Sequence, residues 1–160
     1  MVTEIINCIK GIQKKTNGNE SNPVWTKAVN DAFSDLGKAH GWEICAKNIA
    51  PNPGWLFDLT WYKYALGGTR GLDIGLILES EWKHDYESLR YDFEKLLVGK
   101  SKYKVFICEA TNADIEKLMS LVDDCQLPPM DETYIFANWI GAKGHFECFK
   151  KTKNNPLIRL

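Results

Sequence analysis

The chain has 160 residues, 44% of them hydrophobic and 26% charged, with a formal net charge of -1. This composition fits one self-folding α/β-sized domain and excludes a disordered or fibrous chain, as well as the heavy basic surplus of a protein that coats nucleic acid without specificity. Five cysteines, widely separated and without a CxxC pair, argue against a disulfide framework or a zinc site and for reduced core thiols. No segment reaches the ~18 apolar residues of a membrane span. The start Met1-Val2-Thr3-Glu4 lacks a signal-peptide pattern, so the expectation is a cytoplasmic protein with no membrane partner.

Ile5, Ile6, Ile9 and Ile12 recur at helical spacing and predict a short N-terminal helix, expected at the periphery, followed by a loop over Thr16 to Asn22. From Val24 to His40 the stripe Val24, Ala28, Ala32, Phe33 and Leu36 predicts the first long core helix, ended by Gly41. A short strand at Trp42 to Ala46, a turn at Pro51, Pro53 and Gly54, a strand from Trp55 to about Tyr64, a Gly67-Gly68 turn and a strand from Leu72 to Lys83 read as a meander.

Tyr86, Leu89, Phe93, Leu96 and Leu97 mark the apolar face of a crossover helix that ends near Gly99. A buried strand follows at Tyr103 to Cys108. Thr111 and Asp114 then form a capping pattern ahead of Ile115, Leu118, Met119 and Val122. After Pro128-Pro129, Thr133 to Ile140 and His145 to Lys150 flank Gly141 to Gly144 as a terminal hairpin. The expected fold is α/β, a mixed central sheet flanked by helices in α-β-β-β-α-β order with a C-terminal hairpin. It forms a single domain over 1–160, divided into a peripheral segment 1–22, a core 23–110 and a C-terminal helix and hairpin 111–160.

The acidic strand carries the chemistry. Side chains alternate along a strand, so Glu79, Glu81 and Lys83 share one face while Leu76, Leu78 and Trp82 take the other, with Trp82 expected against a helix. Asp58 lies within the apolar run Trp55 to Trp61, where an unpartnered acid is costly. If the strands pair, Asp58 joins the glutamates, and their mutual repulsion calls for a cation or a proton. The plainer alternative is a solvated strand end with weak Glu and Lys pairs. For Asp92 and Lys95 the plain reading is an ordinary helical i, i+3 pair. His40, His84 and His145 show no ligand spacing.

Asp58, the string Glu79-Ser80-Glu81-Trp82 and the element order over about residues 24 to 110 resemble the PD-(D/E)xK, or restriction-endonuclease-like, nuclease superfamily. The resemblance implies that Asp58 and Glu79 hold a metal. Glu81 stands where the strict pattern has lysine, which resembles the E-x-E-W variant of BamHI-type restriction endonucleases. A second register takes Glu81-Trp82-Lys83 as the E-x-K. What the resemblance implies is a Mg²⁺-dependent nuclease, with Mn²⁺ as a substitute, acting on DNA more than RNA. Its metal ligands would be Asp58, Glu79 and Glu81, and its phosphate-stabilising lysine Lys83 or, as a reserve, Lys95. So short a chain would draw sequence specificity from a homodimer or a partner protein. The alternative is a nuclease-like domain that no longer cuts and serves as a binding or regulatory module. Lys143, His145, Lys150, Lys151, Lys153 and Arg159 make the C-terminal region locally basic, which suits either a phosphate backbone or a solvated tail.

Overall fold

The computed structural model describes residues 1–14, 20–47, 55–64, 72–126 and 131–160. The expected turns at Pro51 to Gly54 and Gly67-Gly68, the Pro128-Pro129 break and most of the Thr16 to Asn22 loop lie outside these residues. Helices α1 (Val2–Gln13) and α2 (Asn22–Ala39) lead into strands β1 (Glu43–Ala46), β2 (Leu59–Tyr64) and β3 (Leu72–Glu81). Helix α3 (Tyr86–Val98), strand β4 (Tyr103–Cys108), helix α4 (Asn112–Asp124) and strands β5 (Thr133–Ile140), β6 (His145–Lys151) and β7 (Ile158–Arg159) complete the fold.

Among the described residues, the seven strands lie in one sheet, in chain order from β1 to β7. The β1-β2-β3 meander is antiparallel, α3 and α4 cross over to make β3-β4 and β4-β5 parallel, and β5-β6-β7 is again antiparallel. The protein is thus an α/β fold with a mixed sheet flanked by helices. Among the described residues, no helix is long and apolar enough to cross a membrane.

Each sheet face has its own core. On one, α1 and α2 cover Leu59, Trp61, Leu76, Leu78, Val105 and Ile135. On the other, α3 and α4 cover Ile77, Phe106, Tyr134 and Phe136. The even and odd residues of β3 therefore divide between the two cores as strand alternation requires. Trp82 falls on the α2 side and stacks on Trp25 of that helix at 5.1 Å.

Several expectations need correction, beginning with the strand expected from Trp55, which starts only at Leu59. The N-terminal helix is not peripheral, because all four of its isoleucines are buried in the first core and Gln13 Oε1 accepts a hydrogen bond from Phe146 N in β6 at 3.1 Å. The inward stripe of α2 is turned by about one residue: Trp25, Val29, Phe33 and Gly37 face the sheet and Val24 is exposed. Trp25 is the larger apolar payload, and Gly37 admits Trp61, whose ring would lie within 2.6 Å of any Cβ there. Finally, the C-terminal residues are tied down as β7, beside β6.

Local signals place α3 and α4 well. Asp85 Oδ1 accepts from Ser88 N at 2.8 Å, and Thr111 Oγ1 accepts from Asp114 N at 3.2 Å. Each satisfies an otherwise orphaned donor of the first turn, and caps of this kind contribute about 1 kcal/mol.

Candidate active site at the end of the acidic strand

In the β2-β3 ladder Leu59 lies opposite Leu78, so the residue before β2 meets the residues that follow Leu78. Asp58 accordingly accepts from Ser80 N and from Ser80 Oγ, both at 3.0 Å through Oδ2. In the β1-β2 ladder Ala46 lies opposite Leu59, which brings Lys47 to Asp58 in the same way. Lys47 Nζ donates to Asp58 Oδ1 at 2.8 Å, and Lys47 N donates to Asp58 O at 2.9 Å.

Glu79 is the most deeply placed acid, 1% exposed, and it shares the α3 side of the sheet with Ile77. Helix α3 delivers Lys95, whose Nζ lies 2.7 Å from both Glu79 Oε1 and Asp92 Oδ1. The approach to Glu79 is close without being an aligned hydrogen bond, since Oε1 has no hydrogen-bond partner. Burial, and next the charge of Asp58, push the Glu79 carboxyl up to about 8. At neutral pH this side chain holds a proton even with an ammonium beside it.

Glu81 closes the strand. Its Oε1 accepts from Trp82 N and Lys83 N, both at 2.8 Å. Burial raises its carboxyl, and hydrogen bonding with the neighbouring Asp92 carboxyl raises it further. The cluster thus contains the acids Asp58, Glu79, Glu81 and Asp92 and the bases Lys47 and Lys95. Burial opposes the charge on both lysines, but their carboxylate partners outweigh it and raise them.

Four of the five residues singled out in the sequence, Asp58, Glu79, Glu81 and Lys95, come together. Lys83 does not join them: the strand ends at Glu81, and the exposed Lys83 meets the cluster through its backbone N–H. Two contributors were missed. Lys47 is legible only once β1 and β2 are in register, and Asp92 looks in the sequence like the surface half of an i, i+3 pair. Ser80, the middle residue of the motif, orients Asp58 and is linked in turn to Thr26 of α2, with 3.5 Å between the hydroxyls.

Carboxylate oxygens on two buried acids, Glu79 raised first by burial and next by the charge of Asp58, suit a divalent cation in donor chemistry. Mg²⁺ keeps several waters and takes one or two protein carboxylates, which makes Asp58 and Glu79 the residues to hold it by donor type. Among the described residues, no group of three or more His, Cys, Asp or Glu side chains is positioned to hold a metal ion as it stands. In sequence, no protein-family model and no curated protein matches this chain.

Proposed function

We propose that the protein is a metal-dependent phosphodiesterase acting on nucleic acid, DNA more than RNA, with a restriction-endonuclease-like core. The observation that carries this reading is the juxtaposition of buried Asp58 and Glu79 at one end of an antiparallel pair, with Glu79 held up to about 8. The order of a helix, a three-strand meander, a crossover helix and a parallel strand supports it, as does the resemblance at Asp58 and Glu79 to Glu81.

Asp58 and Glu79 are the residues that would hold Mg²⁺ or Mn²⁺, with Glu81 at their flank. An ion held there would supply positive charge for the phosphate and a more acidic water. In the hydrolysis a water oxygen bonds to phosphorus. The bond from phosphorus to the leaving oxygen breaks with its electron pair on that oxygen, which takes a proton from solvent. Glu81 accepts the proton of the attacking water at Oε2, its Oε1 being fixed by two backbone N–H groups. Its raised carboxyl brings it nearer the neutral range in which a general base works best. Specificity for a base sequence would come from a second copy or a partner protein.

The second reading, a domain that no longer cuts, draws on the lysines that already match Asp58 and Glu79. Calorimetric titration with Mn²⁺ separates the two. The enzyme reading expects binding by the wild type that releases close to one proton near pH 7, as Glu79 ionises, and loss of both binding and proton release in Glu79→Gln. Absence of Mn²⁺ binding to the wild type, both alone and with a DNA duplex present, would refute the enzyme reading.

A further inference from the structure

Resting on the phosphodiesterase reading, we propose that Lys47, at the end of β1, is the catalytic lysine that contacts the scissile phosphate, the role left vacant by Glu81. Among the described residues, three lysines adjoin the acids, and their placement separates them. Lys83 is exposed but touches the cluster only through its backbone. Lys95 is held between Glu79 and Asp92 with its side chain 15% exposed, so its ammonium is already engaged by two protein carboxyl groups. Lys47 combines contact with access: its ammonium lies 2.8 Å from Asp58 Oδ1 while 43% of its side chain remains open to solvent.

Its backbone is fixed as well. Lys47 N donates to Asp58 O at 2.9 Å, and the buried Asn30 of α2 donates through Nδ2 to Lys47 O at 3.1 Å. Such a pinned backbone with a solvent-open ammonium at the rim of an acid pair is how a protein presents a positive charge to an incoming anion. As negative charge grows on the non-bridging oxygens during water attack, an ammonium already in place stabilises it without reorganisation. No bond to lysine forms or breaks. Were Asp58 to hold a cation, Lys47 would be free to exchange that carboxylate for the phosphate, so one side chain would neutralise the site at rest and the substrate in use.

The test compares Lys47→Ala, Lys47→Gln and Lys47→Arg with wild type and with Lys117→Ala, an exposed lysine of α4. Lys47→Gln can still hydrogen-bond Asp58 if the alanine variant folds poorly. The probes are Mn²⁺ alone, a DNA duplex in Ca²⁺ and cleavage of plasmid DNA in Mg²⁺. The neutral variants are expected to bind Mn²⁺ at least as tightly as wild type, because a competing cation has left Asp58; a purely structural lysine would weaken that binding. They should bind DNA about tenfold more weakly, with a salt slope smaller by about one, and cleave about a hundredfold more slowly. Lys47→Arg should restore most of each loss, and Lys117→Ala should match wild type. If wild type cleaves, Glu79→Gln does not, and Lys47→Gln cleaves like wild type with an unchanged salt slope, Lys47 is the wrong lysine and the phosphodiesterase reading stands. If wild type neither binds nor cleaves DNA, both fall together.

Discussion

Replacing Glu79 by glutamine should make the protein more stable at alkaline pH, although the change removes half of an ion pair. Folding raises the Glu79 carboxyl from an ordinary 4.5 to about 8. Between those values the folded protein therefore retains a proton that the unfolded chain gives up, and stability falls as pH rises through the window. At about 1.36 kcal/mol per pH unit, the full displacement corresponds to a ceiling of about 5 kcal/mol at pH 8 and above, and to less than about 1 kcal/mol at pH 5. Glutamine keeps the shape, carries no charge to desolvate, and presents an amide oxygen toward Lys95, giving back about 1 to 2 kcal/mol of the lost attraction. The net expectation is a gain of about 2 to 4 kcal/mol at pH 8, or about 5 to 15 °C in Tm, and near equality at pH 5. Urea unfolding of both proteins at the two pH values, with a chelator present, measures it. A variant less stable than wild type at pH 8, or a difference that does not change with pH, would refute the electrostatic account of the site.

The remaining expectations concern the cation and the scaffold. Saturating Mn²⁺ should raise the Tm of wild type but not of Glu79→Gln, since an ion that binds only the folded state stabilises it by mass action; equal shifts in both proteins would place the ion elsewhere. Lys95→Met should drive the Glu79 carboxyl above about 8 by removing the ammonium at 2.7 Å, which carbonyl-region NMR titration can follow; a lower value would contradict the pairing. Gly37→Ala should lose about 1 to 3 kcal/mol, because the new methyl meets Trp61 and Ile44 at 2.6 Å and must push α2 off the sheet, whereas Gly11→Ala, with open space at its Cβ, should be neutral or stabilising in thermal melts. Asn138→Ala should lose about 1 to 3 kcal/mol, as its buried amide bridges Ala110 N at 2.8 Å and Ala110 O at 3.0 Å just ahead of α4.

Strand and helix identities were readable where periodicity and caps agreed. Tyr103–Cys108 and the helix capped by Thr111 fall where alternation and hydroxyl spacing place them. The facing of α2 was not readable in the same way, since its apolar residues are spread widely enough to offer two neighbouring stripes. Only contact with Trp61 at Gly37 selects one of them. The four isoleucines of α1 announce a helix, but part of what covers it, β6, lies far along the chain: Gln13 meets Phe146, 133 residues away. The acid cluster divides similarly. Glu79 and Glu81 follow from strand phase alone, and Asp58 from its odd placement among aromatics. Lys47 and Asp92 need the β1-β2 register and the seat of α3, which are tertiary facts.

The sheet adds its strands in the order in which the chain is made. During synthesis each new strand finds its neighbour already in place, and no early segment must wait beside a gap for a late one. Every side chain of the acid cluster lies before Gly99, so the pocket and its counter-charges emerge from the ribosome ahead of β4 to β7. Helix α1 is a partial exception: α2, made directly after it, covers part of its isoleucine face, but the rest is closed only when β6, nearly the last strand, arrives.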